Sequence, residues 1–119
     1  NLKPRFKDYD LVLAANLIDR LHDPQLFLDQ IHGRLRPDGL LVLLSPYTWL
    51  PEFTDRERWL GGFRRDGEPF YTIDGLKEQL APQFTLLAAP SDIPFVIRET
   101  RRKFQHSFAE MTIWERKRA

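Results

Sequence analysis

Two short apolar runs do most to limit what this chain can fold into: YDLVLAA (Tyr9 to Ala15) and LLVLLS (Leu40 to Ser45). Near-continuous runs of this kind are the signature of strands covered on both faces of a parallel sheet. Between them, Asp23-Pro24 supplies a helix start, with Asp as N-cap and Pro at the first helical position. Phe27, Leu28, Ile31 and Leu35 then fall on one helical face. Pro37 disfavours helical geometry in the residue before it and Asp38-Gly39 makes a turn, so the helix is expected to end near Arg36. Strand, helix, strand is a βαβ unit, whose two strands should run parallel with a right-handed crossover.

The remaining segments extend that unit. Thr72 is placed to cap a short helix, IDGLKEQL, with Ile73, Leu76 and Leu80 inward and Pro82 beyond its end. FTLLAA (Phe84 to Ala89) reads as a third strand. IPFVIRET (Ile93 to Thr100) reads as a further extended segment, which Pro94 confines to an edge or a connection. RRKFQHSF is basic and ambiguous, whereas EMTIWER (Glu110 to Arg116) alternates, with Met111, Ile113 and the stem of Glu115 on one face. The last two strands are close enough in sequence to pair antiparallel. The expected order is β-α-β-loop-α-β-β, an α/β domain with parallel strands first and an antiparallel ending.

Bulk properties exclude several function classes. A chain of 119 residues buries a single core. Its 42% hydrophobic and 13% aromatic content is that of a globular domain. A net charge of +1 gives no broad electrostatic reason to expect nucleic acid or an anionic membrane. Without cysteine there is no disulfide framework, no CxxC metal site and no thiol nucleophile. No apolar run approaches the roughly 20 residues of a membrane helix, and the polar, charged start is unlike a signal peptide. The expected location is the cytoplasm. No ligand spacing links His22, His32 and His106 as a metal site. Arg98, Arg101, Arg102, Lys103, Gln105 and His106 form one basic cluster, too short in so neutral a chain to imply nucleic acid. The sequence begins without Met, directly before an apolar run, and is expected to be the later part of a larger protein.

YDLVLAANLIDRLHDPQLFLDQIHGRLRPDGLLVLLSPY, with helix, strand and strand after it, resembles the second half of the Rossmann-like S-adenosylmethionine (SAM) methyltransferases. The match runs through that family's strand 4, helix D, an L-x-P-G-G-like turn in which Asp38 replaces the first glycine, and strand 5. The family's sheet order is 3-2-1-4-5-7-6 with strand 7 antiparallel. The resemblance therefore implies strands 4-5-7-6, contiguous here, with residues 1–119 as the carboxy-terminal half of the domain. The family's GxGxG turn, which holds the methionine moiety, has no match at Gly33, Gly39, Gly61, Gly62, Gly67 or Gly75, so the resemblance implies that the first half of the SAM site lies outside this sequence. The chain alone is not expected to methylate. A narrower likeness rests on SPYTWLPEFTDRERWLGGF and PFVIRETRRKFQHSFAEMTIWER, which resemble the carboxy-terminal methyltransferase domain of the bifunctional ovothiol-biosynthesis enzymes. That likeness implies SAM as cofactor and an imidazole nitrogen of a mercaptohistidine as the methyl acceptor. The alternatives are a methyltransferase for another small acceptor and a non-catalytic binding or assembly module.

The resemblance also places a site. Ala15, Asn16 and Leu17 correspond to the turn after strand 4 that contacts SAM, and open α/β sheets bind ligands outside the carboxyl ends of their strands. The other reading of Asn16 is as a cap on LIDRL. Asp19 or Arg20 could reach substrate or cofactor, or form a surface ion pair. Ser45-Pro46-Tyr47 ends the second strand at the same rim, and Pro46 and Pro51 are expected to hold Tyr47, Thr48 and Trp49 extended. Methyl transfer is an in-line displacement that depends on positioning. Aromatic walls attract a sulfonium by cation–π interaction and can sandwich an imidazole. Tyr47 and Trp49 are therefore assigned to a pocket wall, with core packing as the other reading, and Phe53, Trp59 and Phe63 to scaffold. Tyr47 and Glu52 are the catalytic candidates, since a hydrogen bond to the second imidazole nitrogen selects the tautomer. Trp49, Arg56 and Arg98 are the substrate-binding candidates, with Arg able to clamp a carboxylate bidentately; the other reading of Glu52, Arg56 and the charges beside them is that they solvate the loop. The open edge of the first strand is expected to favour self-association.

Overall fold

In the computed structural model, which describes residues 8–98 and 100–118, the two apolar runs become adjacent strands. β1 (Tyr9–Ala15) pairs in parallel with β2 (Leu35–Ser45), with a regular ladder from Leu11 beside Leu40 to Ala15 beside Leu44. α1 (Pro24–Ile31) joins them, and Asp23 Oδ1 accepts the Leu26 N–H at 3.1 Å as an N-cap should. The helix stops at Ile31, earlier than Arg36, and a 3-10 turn over His32–Arg34 delivers the chain to Leu35. Pro37-Asp38-Gly39 does not form a separate turn. It is absorbed into β2 as an irregularity of register opposite Tyr9–Leu11, with Asp38 at φ +67°, a conformation that Asp tolerates.

β7 (Phe104–Arg116) lies antiparallel to β2 and forms the far side of the sheet with two edge strands, β5 (Phe84–Leu86) and β6 (Ser91–Arg98). The order is β1-β2-β7-β5, with β6 also on β7. This is the contiguous arrangement expected of strands 4-5-7-6, the sixth position being shared by β5 and β6. Pro94 sits on β6, whose partner among the described residues is β7, an edge position of the kind to which Pro is confined in a sheet. Five of the eight residues of the ambiguous basic stretch, from Phe104 onward, become strand. A small hairpin, β3 (Phe63–Arg65) and β4 (Glu68–Phe70), turns at Asp66-Gly67 with φ of +53° and +82°. Positive φ at both central residues is the mark of the hairpin turn whose twist matches its strands.

α2 (Thr72–Leu80) packs beside α1, with Leu76 and Leu80 fully buried. Its start differs from expectation. Tyr71, not Thr72, is the N-cap residue, and the Asp74 carboxylate reaches back to the Tyr71 N–H at 3.1 Å. The Thr72 hydroxyl is used elsewhere, as described below.

Leu28 and Ile31 of α1 and Leu76 and Leu80 of α2 meet Leu41, Leu43, Phe84 and Trp114 in one core. Both helices therefore cover the same face of the sheet. The other face is open among the described residues: Leu11 and Leu13 are 55% and 61% exposed, and Leu13 lies in register with half-buried Val42 and Ile113. The expectation that β1 is covered on both faces is thus corrected. Apolar composition marks a strand fit for covering on two faces, and the helices present supply one. On β7 the buried partners are Thr112 and Trp114, with Met111 and Ile113 on the open side.

Two glycines let the long β2–β3 connection lie directly on α2. A Cβ at Gly75 would overlap the Leu60 carbonyl oxygen, and one at Gly61 would overlap the Thr72 backbone. Backbone on both sides leaves nothing that can rotate away. We expect Gly75→Ala to destabilise the protein by about 2 kcal/mol or more, as overpacking and backbone displacement do. Gly33→Ala, where a Cβ meets nothing within 4 Å, should stay within about 0.5 kcal/mol of the parent. Urea unfolding of the two variants checks this; equal midpoints would contradict it.

Candidate functional site

Because β1 and β2 run parallel, their carboxyl ends open at one rim. Ala15, Asn16 and Leu17 are all exposed there, with Asn16 at φ +55° and its N–H donating to Leu44 O at 2.6 Å. The following 3-10 turn, Ile18–Arg20, has Leu17 at its N-cap and no side-chain cap bond, so the Asn16 amide is not a helix cap. Asp19 forms no surface ion pair. It is 1% exposed, its Oδ2 accepts the Thr48 N–H at 2.8 Å, and its Oδ1 is buried with no partner among the described residues. Arg20 instead lies over the Phe53 ring, 4.7 Å from its centroid.

Tyr47 follows Ser45 and Pro46 at the end of β2 and is not extended. Its φ is +56°. Pro46 fixes only its own φ, while the buried Ser45 hydroxyl accepts the Tyr47 N–H at 3.0 Å and Tyr47 O accepts the Trp49 N–H at 3.0 Å. Those two short-range bonds curl the chain where the prolines alone would leave it straight. A left-handed aromatic residue costs roughly 1–3 kcal/mol and persists only where its surroundings over-determine it. One such determinant is the phenol, which donates to Glu110 Oε1 on β7 at 2.8 Å. Glu110 stands opposite Ser45 in the β2–β7 ladder, so sheet register brings it to this rim.

Trp49 is 8% exposed and donates from Nε1 to the Thr72 hydroxyl at 3.0 Å. Its ring stacks on Trp59 with centroids 6.4 Å apart, and Trp59 in turn donates to Thr54 O at 3.0 Å. The Thr54 hydroxyl donates to Leu21 O, tying the loop to the chain after β1. Gly62, at φ +80°, lies beside the Trp49 ring, where a Cβ would touch Cδ1 at 3.4 Å. Phe63 stacks on Phe70 at 5.3 Å within the hairpin. The aromatic cluster is thus an anchored loop.

A cleft of about 320 Å³ opens between these elements, lined by Tyr47, Trp49, Gly62, Tyr71, Thr72, Ile73 and Glu110. Of the residues singled out in the sequence, Tyr47 and Trp49 form its wall. Glu52 is exposed in the turn after Pro51 and does not line it, and Arg56 lies outside, 5.7 Å from the Trp59 ring centroid. Arg98 is further still. It pairs with Phe104 while Glu110 pairs with Asp92, six positions along the β6–β7 ladder, or about 20 Å at strand rise. Its guanidinium donates to Thr100 O and Arg101 O. Sequence reasoning did not select Glu110 or Tyr71. The available signal for Glu110 was its place in the alternation of β7, a carboxylate on the same face as Thr112 and Trp114. A second cleft, of about 170 Å³, lies at the hairpin and α2 and is lined by Trp59, Phe63, Arg65, Phe70 and Glu78 among others. Arg65 and Glu78 pair there at 3.0 Å, and it lies away from the strand ends.

Burial pushes the Tyr47 phenol well above its ordinary range, and the Glu110 carboxylate adds to this, with a smaller push from Asp19. The group therefore stays protonated at neutral pH. It can donate through O–H and accept through its oxygen, but it is no general base.

No protein-family model matches the chain, nor does any curated protein. Solved structures do match in fold. A SAM-dependent methyltransferase from Methanosarcina mazei superposes with TM-score 0.58 and 19% identity over 93% of this chain. A protein solved in work on the conversion of a disulfide bond into a thioacetal group during echinomycin biosynthesis superposes with TM-score 0.60 and 17% identity over 94%. The chain has a partial Rossmann-like methyltransferase fold. It spans 60% and 50% of the lengths of those two chains.

The buried phenol gives a pH prediction. A pKa raised on folding contributes stability that is complete below the unfolded value, 10.0 for Tyr, and is lost as pH rises toward the folded value. Tyr47→Phe should cost about 1 kcal/mol at pH 8, and the gap between parent and variant should narrow above pH ~10. Thermal unfolding from pH 7 to 11 reads this directly. A gap that widens with pH would contradict the assignment.

Proposed function

We propose that this chain is the acceptor-binding half of a SAM-dependent methyltransferase that methylates an imidazole nitrogen of a mercaptohistidine, as in ovothiol biosynthesis. The observation that carries the reading is the aromatic cleft at the carboxyl end of β2, beside β7 and the start of α2, where Tyr47 is held in a strained conformation against Glu110. Ligands of open α/β sheets bind at such strand ends. The partial methyltransferase fold supports the class of reaction, and the aromatic-loop resemblance supports the acceptor. We place the parent protein in the cytoplasm.

Ala15, Asn16 and Leu17 would hold SAM. They are exposed at the end of β1, and the Asn16 side chain is not used as a cap. SAM supplies an electrophilic methyl group on a sulfonium. The chain's own contribution is placement. Trp49 and Tyr47 line the cleft, where an imidazole would lie against aromatic rings, and Thr72 and Trp59 fix the Trp49 ring. With its proton donated to Glu110, the Tyr47 oxygen accepts an imidazole N–H and leaves the lone pair of the other nitrogen free to attack. Fixing that geometry is worth more to an in-line displacement than a strong base.

The test is an assay of the longer parent protein with SAM and mercaptohistidine, plain histidine or unrelated small acceptors. Mercaptohistidine should be methylated fastest, and Trp49→Ala and Tyr47→Phe should each lower kcat/KM by about tenfold or more, the equivalent of roughly 1.4 kcal/mol. Preference for an unrelated acceptor would replace the substrate. Methyl transfer to none of them would favour a binding module.

A further inference from the structure

The strand-end cleft combines ring faces with negative charge. Tyr47, Trp49 and Tyr71 are aromatic, Glu110 is acidic, and the remaining lining residues Gly62, Thr72 and Ile73 are uncharged. No Lys or Arg lines the cleft among the described residues, and Arg20 and Arg56 are engaged with the rings of Phe53 and Trp59. Asp19 is buried behind the cleft and does not line it, but its Oδ1 has no partner among the described residues and its charge acts on Tyr47. A half-buried carboxylate with no facing cation is an unfavourable arrangement that a cationic ligand relieves.

We propose that this cleft binds the ammonium group of an amino-acid acceptor, with Glu110 as the residue that restricts the site to acceptors carrying one. The inference rests on reading the cleft as the acceptor site. Glu110 uses one oxygen on the Tyr47 phenol at 2.8 Å, and a carboxylate offers about four acceptor positions, enough for two ammonium hydrogens beside that bond. Hydrogen bonds of ammonium to carboxylate are charge-assisted and short. Tyr71, 64% exposed at the N-cap of α2, supplies a ring face at the mouth of the cleft, where cation–π attraction adds to the carboxylate. The volume of about 320 Å³ is at the small end of the range of small-molecule sites, about 300–1,000 Å³. An amino acid suits it better than a peptide.

The experiment is calorimetric titration of this chain with L-histidine and with imidazolepropionate, which lacks only the α-ammonium. Histidine should bind at least tenfold more tightly. Glu110→Gln, whose amide oxygen can still accept the Tyr47 phenol, should abolish the discrimination, so that the ratio of the two affinities falls to about one. Tyr71→Leu, a change at an exposed position that should not disturb folding, should weaken histidine severalfold and serves if Glu110→Gln fails to fold. Equal affinities in the parent chain, no binding of either compound at millimolar concentration, or discrimination that survives both substitutions would each overturn the proposal. So would Glu110-dependent binding of SAM in place of histidine, which would make the cleft's cation the donor's sulfonium. Because no turnover is measured, the outcome is separable from the methyltransferase reading. A protein that methylates imidazolepropionate as readily as histidine keeps the function and loses this inference, and one that discriminates but transfers nothing does the reverse.

Discussion

The rim of this fold depends on a contact between two stretches of backbone. Leu60–Gly62 lies against α2 so closely that side chains at Gly61 and Gly75 would collide with Thr72 and Leu60. That approach is what lets the Trp49 indole reach the Thr72 hydroxyl at 3.0 Å. With Trp49 fixed, Trp59 stacks on it and the loop after β2 becomes a rigid wall. A loop that long would otherwise be the most mobile part of such a domain. Here two glycines and one buried hydrogen bond make it part of the scaffold.

From that wall the chemistry follows by position. Tyr47 is curled into a left-handed conformation by the Ser45 hydroxyl, and its phenol meets a carboxylate delivered from β7 by sheet register. Strain of this kind collects at functional sites because it costs stability that packing alone would not spend. The protonated phenol, the two indoles and the carboxylates of Asp19 and Glu110 form a polar, aromatic corner at the strand ends, the place where α/β sheets bind ligands. The open sheet face on the other side carries Leu11 and Leu13 and takes no part in it.

How much of this was legible depended on distance along the chain. The cap at Asp23, the helix start at Pro24 and the two parallel strands are local patterns, and they were readable. The strand order was readable through resemblance. Local rules also misled: Pro46 and Pro51 suggested an extended Tyr47, but a neighbouring hydroxyl decided its conformation. Thr72 looked like a cap, yet its hydroxyl serves Trp49 across 23 residues while Asp74 does the capping. Glu110 was invisible as a site residue because its partner Tyr47 lies 63 positions away, joined only through the β2–β7 register. Arg98 was a substrate-binding candidate in sequence, but strand geometry carries it to the far end of the β6–β7 hairpin.

The central claim is that the Trp49–Tyr47 corner is where the acceptor binds. The indole N–H resonances of the three tryptophans test it most directly, followed by NMR as L-histidine is added to nitrogen-15-labelled protein. Trp114 is buried in the core, with its indole donating to Thr112 at 2.8 Å, and its signal should stay in place. The Trp49 signal should shift progressively and saturate. A titration that leaves Trp49 unmoved, or that moves Trp114 as much, would contradict the account.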